Sequence, residues 1–160
     1  MNLELFANII ESYTPDDWEF WAAHKREEYN LDKSINDTML MIYPNPFPVN
    51  WRDKCWYNLE MALWFGKLVD IKRDTTGQQQ HNPYSPLELR SGMYDIAKDV
   101  IQNMNNSDYI QVLPDVSGTF YDSPDGKSVN RQVWLEVPIT VKFYNIGDSF
   151  DYYLDQTITS

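Results

Sequence analysis

Residues 130–145 read NRQVWLEVPITVKFYN, and from Val133 to Phe143 every second position is apolar: Val133, Leu135, Val137, Ile139, Val141 and Phe143. The alternate positions hold Trp134, Glu136, Pro138, Thr140 and Lys142. A period of two predicts a β-strand with one face in a core. At ~3.3 Å per residue the stretch spans roughly 36 Å, about twice the usual strand. Its other face is unusual, because Trp134 and Tyr144 stand where water is expected. Pro138 has no backbone donor, which predicts an edge position.

Working outward, Ile110–Tyr121 and the turn Ser123-Pro124-Asp125-Gly126 precede this strand, so the two arms should form a long hairpin. Pro114 and Gly118 interrupt the first arm and predict a bulge or imperfect pairing. Before the hairpin, Ser85-Pro86-Leu87-Glu88 writes a helix start: Ser85 caps, Pro86 presets φ and Glu88 completes a capping box. The apolar set Leu87, Tyr94, Ala97, Ile101 and Met104, widened by Met93, Ile96 and Val100, carries that helix to Met104.

Further back, Cys55, Tyr57, Leu59, Met61, Leu63 and Phe65 share one parity, with Trp56, Asn58, Glu60, Ala62 and Trp64 on the other. Leu59–Leu63 would suit a helix, but the sustained parity favours a long strand over Lys54–Leu68. Arg73–Tyr84 (RDTTGQQQHNPY) lacks apolar periodicity and is expected as an exposed loop that orders on a partner. Thr38–Tyr43 is a short strand, stopped by the proline-rich connector Pro44–Pro48. At the start, Leu5, Phe6, Ile9, Ile10 and Tyr13 follow helical spacing over Leu3–Tyr13. Thr14-Pro15-Asp16-Asp17 then resembles a second helix start, with Trp18, Trp21, Ala22 and Lys25 on one side to about Glu28. The order of elements is that of an α+β fold: an antiparallel sheet with a long β-hairpin and helices packed on one face. Residues 1–145 form a single domain in this reading, and 146–160 an acidic aromatic arm or edge strand.

With 160 residues, 42% hydrophobic and 15% aromatic, the chain is apolar enough for one real core. Twenty-four acidic against 13 basic residues leave a formal charge of −11, which opposes binding to nucleic acid by charge attraction and offers no basic patch to a membrane. One cysteine, Cys55, excludes an internal disulfide framework and fits a reducing cytoplasm. No basic-then-apolar leader opens the sequence and no apolar run reaches membrane-spanning length, so no membrane association is expected.

Catalytic chemistry is not written here. His24 and His81 are the two histidines and lack ligand spacing. Asp125-Gly126-Lys127-Ser128 fails as a phosphate loop, because Tyr121 stands where the earlier glycine is required. Asp122 and Asp125 lack the ladder and closing glutamate of a calcium loop. The expectation is therefore a non-enzyme with no cofactor and no metal site. Large aromatic groups off the core parity anchor interfaces, so Trp56, Trp64, Trp134, Pro138 and Tyr144 are taken as subunit-interface candidates. Gln79 and His81 of the long loop join them, with Phe150, Tyr152 and Tyr153 of the tail.

Taken together, the helix Leu3–Tyr13, the strand Lys54–Leu68, the helix Ser85–Met104 and the hairpin Ile110–Phe143 resemble the tail-terminator and tail-completion (neck ring) proteins of tailed bacteriophages. The resemblance is one of element order, and Pro15–Glu28 and Pro44–Pro48 depart from a minimal member. Asn, Asp, Tyr and Ile usage resembles that of AT-rich phages of gut bacteria, crAss-like phages included. Membership would imply a structural virion protein that forms a homo-oligomeric ring, a hexamer or dodecamer, at the neck or tail for head–tail joining. Such a protein would assemble in the host bacterial cytoplasm beside portal, neck and tail proteins and pass DNA through an acidic lumen without specific binding. The alternative from another class is a monomeric acidic module that binds a cationic protein.

Overall fold

In chain order the elements are α1 (Leu3–Glu11), β1 (Glu19–Ala23), β2 (Thr38–Ile42), β3 (Val49–Trp51), β4 (Trp56–Leu68), β5 (Ile71–Arg73), β6 (Gln79–His81), α2 (Ser85–Asn106), β7 (Ile110–Val112), β8 (Thr119–Asp122) and β9 (Gln132–Tyr144). The computed structural model describes residues 3–23, 37–44, 46, 48–51, 56–68, 71–73, 79–81, 85–122 and 132–144. Seven strands make one mixed, mostly antiparallel sheet in the order β1-β2-β4-β9-β7, with β3 also on β4 and β8 also on β9. The fold is α+β.

The two parity-patterned stretches form the spine. β4 and β9 are each 13 residues long and pair antiparallel from Trp56↔Tyr144 to Leu68↔Gln132. This register sets Leu59, Met61, Leu63 and Phe65 beside Val141, Ile139, Val137 and Leu135 on one face, all of them buried. Both helices cover that face. α1 contributes Phe6 and Ile10, with the Phe6 ring edge-on to Phe143 at 4.9 Å between centroids. α2 contributes Met93, Ala97, Val100 and Met104, a helical stripe that buries enough apolar surface to hold a helix which would be marginal alone. Leu87 and Tyr94, expected on that stripe, are 77% and 58% exposed. The true stripe is centred about a quarter of a turn away from them.

The second expected helix is a strand. After α1 the chain turns through Thr14–Asp17, with Trp18 N–H donating to the Pro15 carbonyl at 2.9 Å, and β1 then pairs parallel with β2 from Glu19↔Thr38 to Ala23↔Ile42. Thr14 is not a helix cap, because its hydroxyl lies 3.4 Å from the Met39 sulfur. Trp18 is buried against Phe65, with ring centroids 6.2 Å apart, whereas Trp21 is 52% exposed. The Thr-Pro-Asp-Asp chemistry that starts helices starts turns equally well, and a β-rich Phe20-Trp21 decides for strand. Residues 24–28 lie outside the described residues.

The long loop also carries structure. Gln79–His81 pairs antiparallel with Ile71–Arg73 from Arg73↔Gln79 to Ile71↔His81, a ribbon whose backbone pairing leaves no apolar alternation to read.

The hairpin arm is broken as its proline and glycine predicted. β7 pairs with one end of β9 (Ile110↔Phe143, Val112↔Val141) and β8 with the other (Thr119↔Glu136 to Asp122↔Val133). Between them Leu113 N–H reaches the Thr140 carbonyl at 2.9 Å, and Asp115 then takes a left-handed φ of 70°, a conformation Asp tolerates better than most residues. Pro138 was expected at a sheet edge. β9 lies inside the sheet, not at an edge. Tyr144 N–H donates to Tyr109 and the Thr140 carbonyl accepts from Leu113, so even-numbered residues of β9 aim their backbone groups towards β7 and β8. Pro138 shares that direction and faces the gap between the two short strands, where no donor is required.

Candidate interaction face

The face of β4 and β9 opposite the helices carries the residues singled out from sequence. Its side chains run as cross-strand pairs: Trp56 with Tyr144, Asn58 with Lys142, Glu60 with Thr140, Ala62 with Pro138, Trp64 with Glu136 and Gly66 with Trp134. Aromatic groups gather at both ends. Trp56 and Tyr144 lie 5.0 Å apart, each half-buried. At the far end Trp64 stacks on Tyr121 of β8 at 5.5 Å and 28° and meets Trp134 edge-on at 6.5 Å.

Trp134 is not water-facing as its parity suggested: it is 1% exposed. Its indole lies over Gly66, where a Cβ would come within 2.5 Å of ring carbon Cη2. Glycine is needed at that position by close approach. Leu40, paired with Trp64, and Thr38, paired with Gly66, are buried on the same side. The cluster is thus a small second core within the chain. What it leaves at the surface is Tyr121, 41% exposed, and one flank of Trp64. Tyr121 was not among the candidates from sequence; its opposition to Trp134 follows only from the β8–β9 register.

Between the aromatic ends lies an open trough of about 620 Å³. Short side chains, Ala62, Pro138 and Thr140, set its floor, with Trp64 at one end, Ile42 and Pro44 on one bank and Leu113–Val116 on the other. Three carboxylates, Glu60, Asp115 and Glu136, line it, and the described lining residues include no lysine, arginine or histidine. Glu60 and Asp115 are exposed and Glu136 is half-buried. The one described salt bridge of Lys67 lies elsewhere, to Asp37 at 3.3 Å.

Trp56, Trp64, Trp134, Pro138 and Tyr144 therefore share one face, and the structure brings Pro138 and Trp64 into one trough. Gln79 and His81 are on the separate β5–β6 ribbon with side chains outside the described ones, and Phe150, Tyr152 and Tyr153 lie outside the described residues. So does Cys55. Among the described residues no cluster of three His, Cys, Asp or Glu side chains could hold a metal ion, and no helix is long and apolar enough to cross a membrane. No family model matches the chain, and no curated protein matches it.

Proposed function

We propose that the protein is a structural subunit of a tailed-phage virion, closing with copies of itself into a ring at the neck or tail in head–tail joining or tail completion. The observation that carries this reading is the lateral edge of the sheet. Among the described residues β1 has a single strand neighbour, β2, and Trp21 stands 52% exposed on that edge strand. A strand edge with an aromatic anchor suits the head-to-tail contact that closes a ring, since a different surface of the next copy can meet it. The charge of −11 per chain supports the same reading, because an acidic lumen has few cations to hold passing phosphates. Assembly would take place in the bacterial cytoplasm, beside portal, neck and tail proteins.

Size-exclusion chromatography with light scattering tests it. The expected result is a discrete species of six or twelve chains, shifted towards monomer by Trp21→Ala. A chain that stays monomeric at high concentration and does not assemble beside neck proteins overturns it.

A further inference from the structure

The trough over Ala62 and Pro138 has its own chemistry, and we infer that it docks an extended, positively charged segment of a second protein. Three observations converge. Its floor is made of short side chains on two neighbouring strands that pair along their whole length, so an extended chain can lie along it between the aromatic ends. Its apolar contacts, Ile42, Pro44, Trp64 and Val116, can take up small side chains of that segment. Its three carboxylates, Glu60, Asp115 and Glu136, have no cationic residue among the described lining, Lys142 standing one cross-strand pair beyond Glu60 and outside it.

Spacing sharpens the chemistry. Glu60 sits in the row of Thr140 and Glu136 in the row of Trp64, four residues apart along β4, or roughly 13 Å at strand rise. An extended peptide places residues i and i+4 at that same separation. The segment therefore carries lysine or arginine four residues apart with small apolar residues between, one cation lying beside the Trp64 ring as well as Glu136. The chain's own residues 145–160 are a poor occupant, since Asp148, Asp151 and Asp155 would meet the three carboxylates. A second copy, also at −11, is opposed in the same way. The inference stands on this face alone and holds for a ring subunit or a free chain.

The test is fluorescence anisotropy of a labelled ten-residue peptide with a Lys-Val-Ala-Val-Lys centre, titrated with the full chain, against the same peptide with Glu for Lys. Saturable binding of the lysine peptide only is expected. Glu60→Gln with Glu136→Gln should weaken it about tenfold. Glu4→Gln with Asp95→Gln, two exposed helix positions with the same change in net charge, should leave it unaltered. Thr140→Arg, on the trough floor, should abolish it and serves should the glutamate pair prove unfolded by circular dichroism. The inference is overturned by no binding, by equal loss in both glutamine pairs, or by binding that survives Thr140→Arg. A monomer that binds the peptide here sinks the ring and leaves this inference standing; a ring with an indifferent trough does the reverse.

Discussion

Gly66 and Trp134 make a contact that admits glycine alone, since an indole lies where any other residue at 66 would place a side chain. Gly66→Ala should cost about 1–3 kcal/mol by forcing the ring aside. Paired with Trp134→Leu its cost should shrink, and urea melts of the single and double variants measure that coupling. A second residue reports through pH. Burial raises the Tyr43 phenol from 10.0 to about 12, so folding favours its neutral form. That stability is fully present below about pH 10 and is lost as pH rises through about 12. Ultraviolet titration should show phenol still ionising near pH 12, together with loss of near-ultraviolet dichroism; a titration finished before pH 11 would contradict the burial. The sequence marked Trp134 as lying off the core parity, which it does. It could not show that the ring would be buried, because what lies beneath it depends on a register between strands far apart in the chain.

The elements differ in how openly they are written. α2 was legible because cap, proline and stripe agree, and its stripe can be tested. Val100→Ala should cost about 2 kcal/mol and Met93→Ala about 2–4, whereas Leu87→Gln should change the urea midpoint little. β4 and β9 were legible because apolar parity holds over eleven residues in each, which outweighed the helix-forming run Leu59–Leu63. β1 was not, since Thr-Pro-Asp-Asp opens a turn as readily as a helix, and parallel pairing with β2 is a choice made by tertiary contacts. Pro138 was half legible. Its missing donor pointed to a free backbone position, and the chain provides one by interrupting the neighbouring arm instead of ending the sheet. Pro138→Thr should therefore alter stability by less than about 0.5 kcal/mol. Glu136→Pro, two residues away and facing β8, should remove a ladder bond and unfold the protein at markedly lower urea.

At the scale of the whole molecule, charge makes the proposed ring salt-dependent. Subunits carrying −11 each repel one another, so assembly should strengthen between about 20 and 200 mM salt as screening shortens to within ~10 Å, while binding of a lysine peptide in the trough should weaken over the same range. Light scattering and anisotropy on the same samples read both. The trough itself was not visible in the sequence. Ala62 and Pro138 are ordinary residues until β4 and β9 are laid side by side, and the banks come from β2 and from the break between β7 and β8.

That pairing also sets when the protein can fold. β4 finds its partner only across residues 69–131, which include α2, so loop-closure entropy must be met before the spine returns any stabilisation. During synthesis β4, with Trp56 and Trp64 along it, waits with one edge unpaired until residues 132–144 have left the ribosome. Over that interval the chain is exposed to aggregation, and its yield in a cell should depend on translation speed and chaperone supply as well as on the stability of the finished sheet.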